Sequence, residues 1–395
     1  MIKPIHPFPA RMAPELAIDE LKTLPTGSVV LDPMAGSGTV LRHALEHGHS
    51  ALGFDMDPMA VLISRVWTTP VGDDAIGRAF KRVMSQVATF GRSTPELPWL
   101  DSDAETTDFV RYWFAPKQRT VLRRLAFALS AKTGRVNAAR DVLRVALSRI
   151  IITKDRGASL GRDVSHSRPH KVAETSSFDV LDAFERSVTH VRRLLSAAPA
   201  PRAALMRIGD ARQMRPVANG SVDVVLTSPP YLNAIDYIRG HRLALVWLGH
   251  RVSDLREVRS TSIGAERGPN GENAQTLFDP ILRAMVPLTQ LSSRHAAMVT
   301  RYAEDIYRVM SEIARVLRTG GRAVLIVGNS CLKDTFIKNA LGIVRAGAMV
   351  GLSLETKNER RLPVRRRYLP MPSTRTTAPL GRRMRTESIL SLRKT

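Results

Sequence analysis

Apolar positions along the chain follow two spacings, and over the first part of the sequence these alternate. Short apolar runs of strand length fall at Ser28–Leu31, Ala51–Phe54, Ala204–Ile208, Val222–Leu226, Arg322–Val327 and Met349–Leu354, and Thr386–Leu392 returns as a seventh. Between them, apolar residues recur every three or four positions, which places one face of a helix against a core. That spacing predicts helices over Pro9–Leu24, Thr39–His47, Pro58–Val66, Ile235–Leu248, Arg301–Leu317 and Asp334–Ala346. In the second of these Val40, Leu41, Ala44 and Leu45 form the buried stripe, and Gly48 supplies the C-cap. Strand, helix, strand, helix in that order is the pattern of a parallel sheet covered by helices.

The alternation stops at Thr68-Thr69-Pro70 and resumes near Ala203. The intervening stretch has helical spacing only, predicting helices at Ala75–Phe90, Asp108–Ser130, Ala138–Ile151 and Ser177–Leu195, with polar loops at Ser93–Ser102 and Thr153–Thr175. An Ala/Pro-rich patch, Ser196–Ala204, reads as the linker back to the sheet. Residues 1–70 and 201–395 are therefore expected to build one α/β core, and residues 71–200 an inserted helical lobe. Ser253–Gln275, rich in Gly, Asn, Ser, Glu and Arg, reads as a mobile loop. No period of solenoid or propeller length is present.

Charge changes the picture. The 395-residue chain carries a formal charge of +23, with a pI near 11.1, and that balance points to a polyanionic partner. Arg111–Arg156 holds twelve Lys/Arg against two acids, and Thr356–Thr395 holds the same numbers, so nearly all of the excess sits in two segments. The single cysteine, Cys331, excludes an intrachain disulfide framework and any Cys-rich zinc cluster, and implies an intracellular setting. No window is apolar enough for a membrane span and the N-terminus has no apolar targeting region, so the expectation is a cytoplasmic protein.

Two stretches carry candidate chemistry. Asp32-Pro-Met-Ala-Gly-Ser-Gly-Thr39 follows the first strand, where ligands of open α/β sheets bind. Gly36 and Gly38 allow a tight turn and close approach, and the helix opening at Thr39 offers free N–H groups to a carboxylate or phosphate. No Lys follows Gly38, which disfavours a nucleoside triphosphate loop, and Leu41 stands where a dinucleotide fingerprint needs a small residue. S-adenosylmethionine, with a carboxylate and an ammonium but no phosphate, remains. Asp32 suits its ammonium, Thr39 its carboxylate, Asp55 at the end of the second strand its ribose hydroxyls, and Asp210 after the third its adenine amino group.

The second stretch is Thr227-Ser-Pro-Pro-Tyr231, at the end of the strand Val222–Leu226. Two successive prolines fix the backbone and remove two donors, so the turn presents acceptors, which an amino group on an aromatic ring requires. Tyr231 adds a flat face for stacking. Asn233, Asp236 and Tyr237 either line such a pocket or cap the next helix. His166 and His170 have metal-compatible spacing but no acid or thiol partner, and read as part of a polar loop; Tyr112, Trp113 and Phe114 read as helix core.

Taken together, Asp32–Thr39 and Ser228-Pro-Pro-Tyr231 resemble the cofactor and catalytic motifs of the DNA amino-methyltransferases, the N4-cytosine and N6-adenine group. His6-Pro7-Phe8-Pro9-Ala10-Arg11 resembles the N-terminal motif that closes over the methionine end of the cofactor in that family. The resemblance covers about residues 1–67 and 203–355 and leaves the helical lobe outside. It implies a Rossmann-like S-adenosylmethionine-dependent methyltransferase fold with a mostly parallel seven-stranded sheet. Ser228, Pro229, Pro230 and Tyr231 would then be catalytic; His6, Pro7, Phe8, Asp32, Ala35, Gly36, Gly38, Thr39, Asp55 and Asp210 would bind S-adenosylmethionine, with no metal. Ser in the first motif position favours N4 of cytosine over N6 of adenine, and an RNA base is a further alternative. Methylation at cytosine C5 would need a Cys nucleophile, and Cys331 lacks a preceding Pro. DNA is the implied partner, its target base flipped out of the duplex, with the two Arg-rich segments as candidates for phosphate contacts. The insertion between the second and third strands departs from the family pattern.

Overall fold

The computed structural model describes residues 3–8, 12–130, 137–163, 169–232, 236–265, 275–332, 335–361 and 386–395. The chain opens with α1 (Pro14–Leu21), β1 (Val29–Asp32), α2 (Thr39–Glu46), β2 (Ser50–Asp55) and α3 (Pro58–Thr68). Next come α4 (Asp73–Thr89), α5 (Pro98–Asp101), α6 (Ala104–Trp113), α7 (Pro116–Leu129), α8 (Ala138–Ile151), the short hairpin β3 (Gly161–Arg162) and β4 (His170–Lys171), and α9 (Val180–Ala197). Then follow β5 (Leu205–Ile208), β6 (Val222–Thr227), α10 (Ile238–Leu245), α11 (Val252–Thr261), α12 (Gln275–Met285), α13 (Ser293–Val316) and β7 (Leu317–Gly328). A second hairpin, β8 (Ser330–Leu332) and β9 (Thr335–Ile337), precedes α14 (Asn339–Met349), β10 (Leu352–Arg361) and β11 (Thr386–Lys394).

Seven strands form one sheet in the order β10-β11-β7-β6-β1-β2-β5. The pairs from β7 to β5 are parallel, and β11 runs antiparallel to both β7 and β10. Chain order runs outward from β1 through β2 to β5, then returns to β6 on the other side of β1. The strand order therefore reverses between β1 and β6, the position where open α/β sheets bind ligands at the carboxyl ends of their strands. Leu31 lies opposite Val225 across that pair, which brings Asp32 and Thr227 together at its carboxyl end.

Helices cover both faces. One face carries α12, α13 and α14 over Val225, Leu325 and Leu390; the other carries α1 and α2 over Val30, Val224 and Ile326. The helices of residues 71–200 share a continuous apolar cluster with α3, α10, and Ile5 and Phe8 of the N-terminal segment. Arg42 joins that cluster to the sheet. It is 1% exposed, and its guanidinium donates to the carbonyls of Trp67 (2.9 Å), Ala198 (2.8 Å) and Pro199 (3.1 Å) while its Nε meets Glu46. One buried cation thus clasps the chain where it leaves the core and where it returns.

Several elements differ from the sequence reading. The single helix expected over Asp108–Ser130 is two, broken at Phe114-Ala115, because buried Phe114 leaves the helical path and Pro116 opens α7 at a position that needs no N–H donor. Of the three aromatics there, Trp113 and Phe114 are buried, but Tyr112 is 54% exposed beneath Lys171. The stretch from Ser253 is not a loop at its start: α11 spans Val252–Thr261, held by buried Val252 and Leu255 with Val258 partly buried beside them, and residues 266–274 of that reading lie outside the described residues. The helix expected from Arg301 begins at Ser293, capped by Ser292, and α12 had no counterpart in the pattern. The helix expected from Asp334 begins at Asn339, with Asp334 itself outside the described residues, as are Pro9–Arg11, His166 and most of the second basic segment. Among the described residues no helix is long and apolar enough to cross a membrane.

Candidate active site

The loop after β1 is held open by its glycines. Gly36 and Gly38 have φ of +51° and +84°, in the left-handed region that side chains resist. A Cβ on Gly38 would lie 2.3 Å from Ser64 Oγ of α3, so the loop sits against that helix with no room for a side chain. The Ala35 N–H donates to the Phe54 carbonyl (2.9 Å) and the Gly38 N–H to the Ala35 carbonyl (2.8 Å), which aims the N-terminus of α2, beginning at Thr39, into the space beyond the sheet.

Two acids flank this loop. Asp32 is 3% exposed, and its Oδ1 accepts from Thr227 Oγ1 (2.7 Å) and the Met34 N–H (3.1 Å); burial pushes its carboxyl up to about 7. Asp55 accepts from the Gly36 N–H (2.8 Å) and the Asp57 N–H (2.9 Å), and burial, reinforced by the charge of Asp57, pushes it up to about 6. Among the described residues no cation stands beside Asp32, while Asp55 is offset in part by the His241 charge, and a cationic ligand would favour the ionised form of both. Asp57 caps α3 through the Met59 N–H (2.8 Å) and pairs with His241 Nδ1 of α10. Burial opposes the His241 charge, but Asp57 outweighs it and raises the imidazole above its ordinary value.

Asp210 follows β5 and stands beside Asp55, whose carbonyl accepts from the Gly209 N–H (3.0 Å). Its carboxylate is already engaged by Arg212, at 3.0 Å from Nε and 2.7 Å from Nη2. Arg212 also reaches Asp305 of α13 at 2.5 Å; burial works against its charge, and the bonds to the two acids outweigh it. A ligand amino group at Asp210 would share that carboxylate with the guanidinium.

The Pro-Pro turn closes the other side. Ser228 Oγ donates to the Ile326 carbonyl (3.1 Å), so its one proton is engaged and its lone pairs remain as acceptors. Tyr302 Oη of α13 donates to the Pro230 carbonyl (3.1 Å), whereas among the described residues the Pro229 carbonyl accepts no hydrogen bond. Tyr231 is half-buried, and burial followed by the nearby Glu387 charge pushes its hydroxyl up to about 12, keeping it neutral. From the N-terminal segment, the Phe8 ring lies over the loop, with Cε1 3.4 Å from where a Gly36 Cβ would be. The same ring meets Tyr237 and His241 at centroid distances of 5.7 and 5.3 Å. The Phe8 N–H donates to the His6 carbonyl (2.8 Å) in the turn that holds Pro7 at the surface.

The structure thus gathers Phe8, Asp32, Ala35, Gly36, Gly38, Thr39, Asp55 and the Ser228–Tyr231 turn at one end of the sheet, with Asp210 at its margin. Asp236 and Tyr237 lie at the start of α10, and Asn233 is outside the described residues. The sequence reading placed Thr227 in the turn but not its bond to Asp32, and it missed Tyr302 and the Asp57–His241 pair. Asp57 was visible as a helix-opening Asp before Pro58; the other contacts join residues far apart in the chain. No group of three metal-ligating side chains occurs among the described residues.

The sheet order, with its antiparallel β11 inserted beside β7, and the glycine loop at the switch point define an S-adenosylmethionine-dependent methyltransferase fold of the Rossmann-like kind. No family model matches the chain. It is 22% identical over 357 residues to the type II methyltransferase M.MvaI of Kocuria varians, covering 83% of this chain and 77% of that protein. A shorter match, 36% over 63 residues, covers 16% of this chain and 12% of the type II methyltransferase M.MjaII of Methanocaldococcus jannaschii. A solved structure of a TehB-like S-adenosylmethionine-dependent methyltransferase from Corynebacterium glutamicum aligns over 97% of this chain and 87% of that one, at 10% identity and a TM-score of 0.31. The resemblance to the amino-group DNA methyltransferases is therefore matched by a curated type II methyltransferase over most of both chains.

Proposed function

We propose that the protein transfers the methyl group of S-adenosylmethionine to the exocyclic N4 of a cytosine in DNA, by direct displacement on a base turned out of the duplex. The observation that carries the reading is the Thr227–Asp32 hydrogen bond at the switch point of the sheet, which joins the Ser-Pro-Pro-Tyr turn to the glycine loop. A ligand seated on the loop and a base seated on the turn would share one rigid floor.

The residues fit S-adenosylmethionine. Buried Asp32 and half-buried Asp55, both with raised carboxyls, favour a ligand that brings positive charge, and the α2 N-terminus beside Thr39 favours its carboxylate. Phe8 covers the loop from outside and limits water. When bound, the cofactor supplies an electrophilic methyl on a sulfonium. The chain supplies the rest. An exocyclic nitrogen is a weak nucleophile because its lone pair is delocalised into the ring. Ser228 Oγ, its proton committed to Ile326, and the Pro229 carbonyl are acceptors for the two amino hydrogens, and bonds to both favour a pyramidal nitrogen with a localised lone pair. Tyr231 stays neutral and offers its ring face to the base. Orientation of this kind lowers barriers by about 7–11 kcal/mol at best, and fixed acceptors stabilise the charge developing on nitrogen.

Ser at position 228 supports cytosine over adenine through the family resemblance. The test is to incubate the protein with unmethylated DNA and S-adenosylmethionine, digest to nucleosides and separate them by mass. N4-methylcytosine, absent with Tyr231→Ala, is the expected product; N6-methyladenine alone would overturn the choice of base, and 5-methylcytosine would overturn the displacement on nitrogen.

A further inference from the structure

A cleft of about 530 Å³ opens between α10, α11, the start of α6 and the β4 strand, outside every residue assigned above to cofactor or catalysis. Four arginines line it, Arg239 and Arg242 from α10 and Arg256 and Arg259 from α11, with Glu105 and His170 on the far wall. Their charges are not balanced. Asp236 takes Arg259 and, at 3.7 Å, Arg239; Glu105 takes Arg256. Among the described residues no carboxylate pairs with Arg242. Its guanidinium lies 5.0 Å from the centre of the Phe109 ring, and its Nε is buried without a hydrogen-bond partner. Burial, followed by repulsion from Arg239 and Arg259, lowers its affinity for its own proton, so the cleft holds uncompensated positive charge around a preformed planar donor.

Position relates the cleft to the site. α10 begins seven residues beyond Tyr231, and the turn after α11 packs Gly264 so closely on Tyr231 that a Cβ there would lie 3.0 Å from its carbonyl oxygen. The Arg259–Asp236 pair ties α11 to the residue that opens α10. An anion in the cleft therefore lies on the elements that frame the Pro-Pro turn. The basic segment Arg111–Arg156 is a poorer seat, because much of it is occupied within the fold: Arg123 by Asp101, Arg144 by Asp141 and the Leu248 carbonyl, and Arg149 by the Ile5 carbonyl.

We propose that this cleft seats the phosphodiester backbone of the DNA strand that carries the target base, with Arg242 as its central ligand and Arg239 beside it. Guanidinium forks match phosphate oxygens in pairs, and two or more converging on one phosphate fix the register of a strand without reading its sequence. The proposal rests on the DNA-methyltransferase reading above and adds the place where the strand is held.

The test is the affinity of Arg242→Gln, Arg242→Lys and Arg239→Gln for unmethylated duplexes of several sequences, measured by fluorescence anisotropy across a salt series. S-adenosylmethionine affinity and thermal melting of each variant report folding. The Gln variants should lose about tenfold in DNA affinity, equally on every sequence, and the slope of log K against log salt should shrink by about 0.9 for each phosphate contact removed. Arg242→Lys, which keeps the charge but not the fork, should fall between. Unchanged affinity and slope in all three variants, with a wild type that binds and methylates DNA, would overturn the cleft alone. A loss confined to one sequence would make these arginines base readers and overturn the phosphate assignment, as would dependence on Arg242 seen with RNA and not DNA. A wild type that neither binds nor methylates DNA would remove the functional reading itself, and the cleft with it.

Discussion

Gly38→Ala isolates the close approach on which the cofactor loop depends. Two costs are separable. Holding Ala at φ +84° costs about 1–2 kcal/mol in left-handed backbone strain. The new Cβ would also stand 2.3 Å from Ser64 Oγ and 2.9 Å from Ser64 Cβ, closer than real Cβ atoms come, and a tight 3.1 Å from its Cα. Ser64 is wholly buried in α3 with its hydroxyl unbonded among the described residues, so it has nowhere to retreat, and relief by backbone shift costs about 1–3 kcal/mol more. The total expected loss is about 2–5 kcal/mol. In urea unfolding, Gly38→Ala should lower the midpoint, and Ser64→Gly in the same chain should recover the steric part while leaving the strain. The cycle should then show a coupling of about 1–3 kcal/mol between two residues 26 positions apart. S-adenosylmethionine affinity should fall in the single variant and partly return in the double. A single variant within about 0.5 kcal/mol of wild type, or a cycle with no coupling, would refute the packing argument.

Asp32 is raised to about 7 in the folded chain from an ordinary 3.8, so it contributes stability at pH below about 4 that is lost as pH rises through 7; unfolding measured over that window should show the decline, and Asp32→Asn should flatten it. For the same reason S-adenosylmethionine should bind more tightly as pH rises toward 7, and titration calorimetry on Asp32→Asn should show a weaker dependence, the remainder belonging to Asp55, raised to about 6. Arg42→Ala leaves the carbonyls of Trp67, Ala198 and Pro199 unbonded at the root of the insertion and should cost about 3–5 kcal/mol, read by chemical denaturation. Tyr302→Phe keeps the packing but frees the Pro230 carbonyl; kcat should drop about tenfold with KM for both substrates little changed, and an equal kcat would remove Tyr302 as a positioning residue.

The parts of this fold legible in the sequence are those determined locally. Apolar runs ended by Asp32, Asp55 and Thr227 marked three strand ends, and Gly36 and Gly38 marked the turn between a strand and a helix. The last strand was legible at Thr386–Leu392 because it returns to a core position beside β7, where Leu390 and Leu392 are wholly buried. What escaped depends on contacts between distant segments. Thr227 and Asp32 are 195 residues apart, Tyr302 and Pro230 are 72 apart, and nothing in either local pattern announces the bond. Polar composition concealed α11, whose helix rests on two buried side chains, and the break at Phe114-Ala115 was hidden by apolar residues that continue a helical spacing across it. Charge density does not tell structural arginines from free ones: part of that in residues 111–156 is spent inside the fold, on the Leu248 and Ile5 carbonyls, and the cleft around Arg242 lies outside both basic segments.

The decisive assay is transfer of the labelled methyl group of S-adenosylmethionine to unmethylated genomic DNA, with Ser228→Ala and Tyr231→Ala run beside the wild type. The expected result is label in the DNA, recovered on an exocyclic base nitrogen, and strongly reduced transfer by both variants despite retained cofactor binding. Wild-type protein that binds S-adenosylmethionine but leaves the DNA unlabelled, or variants that label it as fast as the wild type, would contradict it.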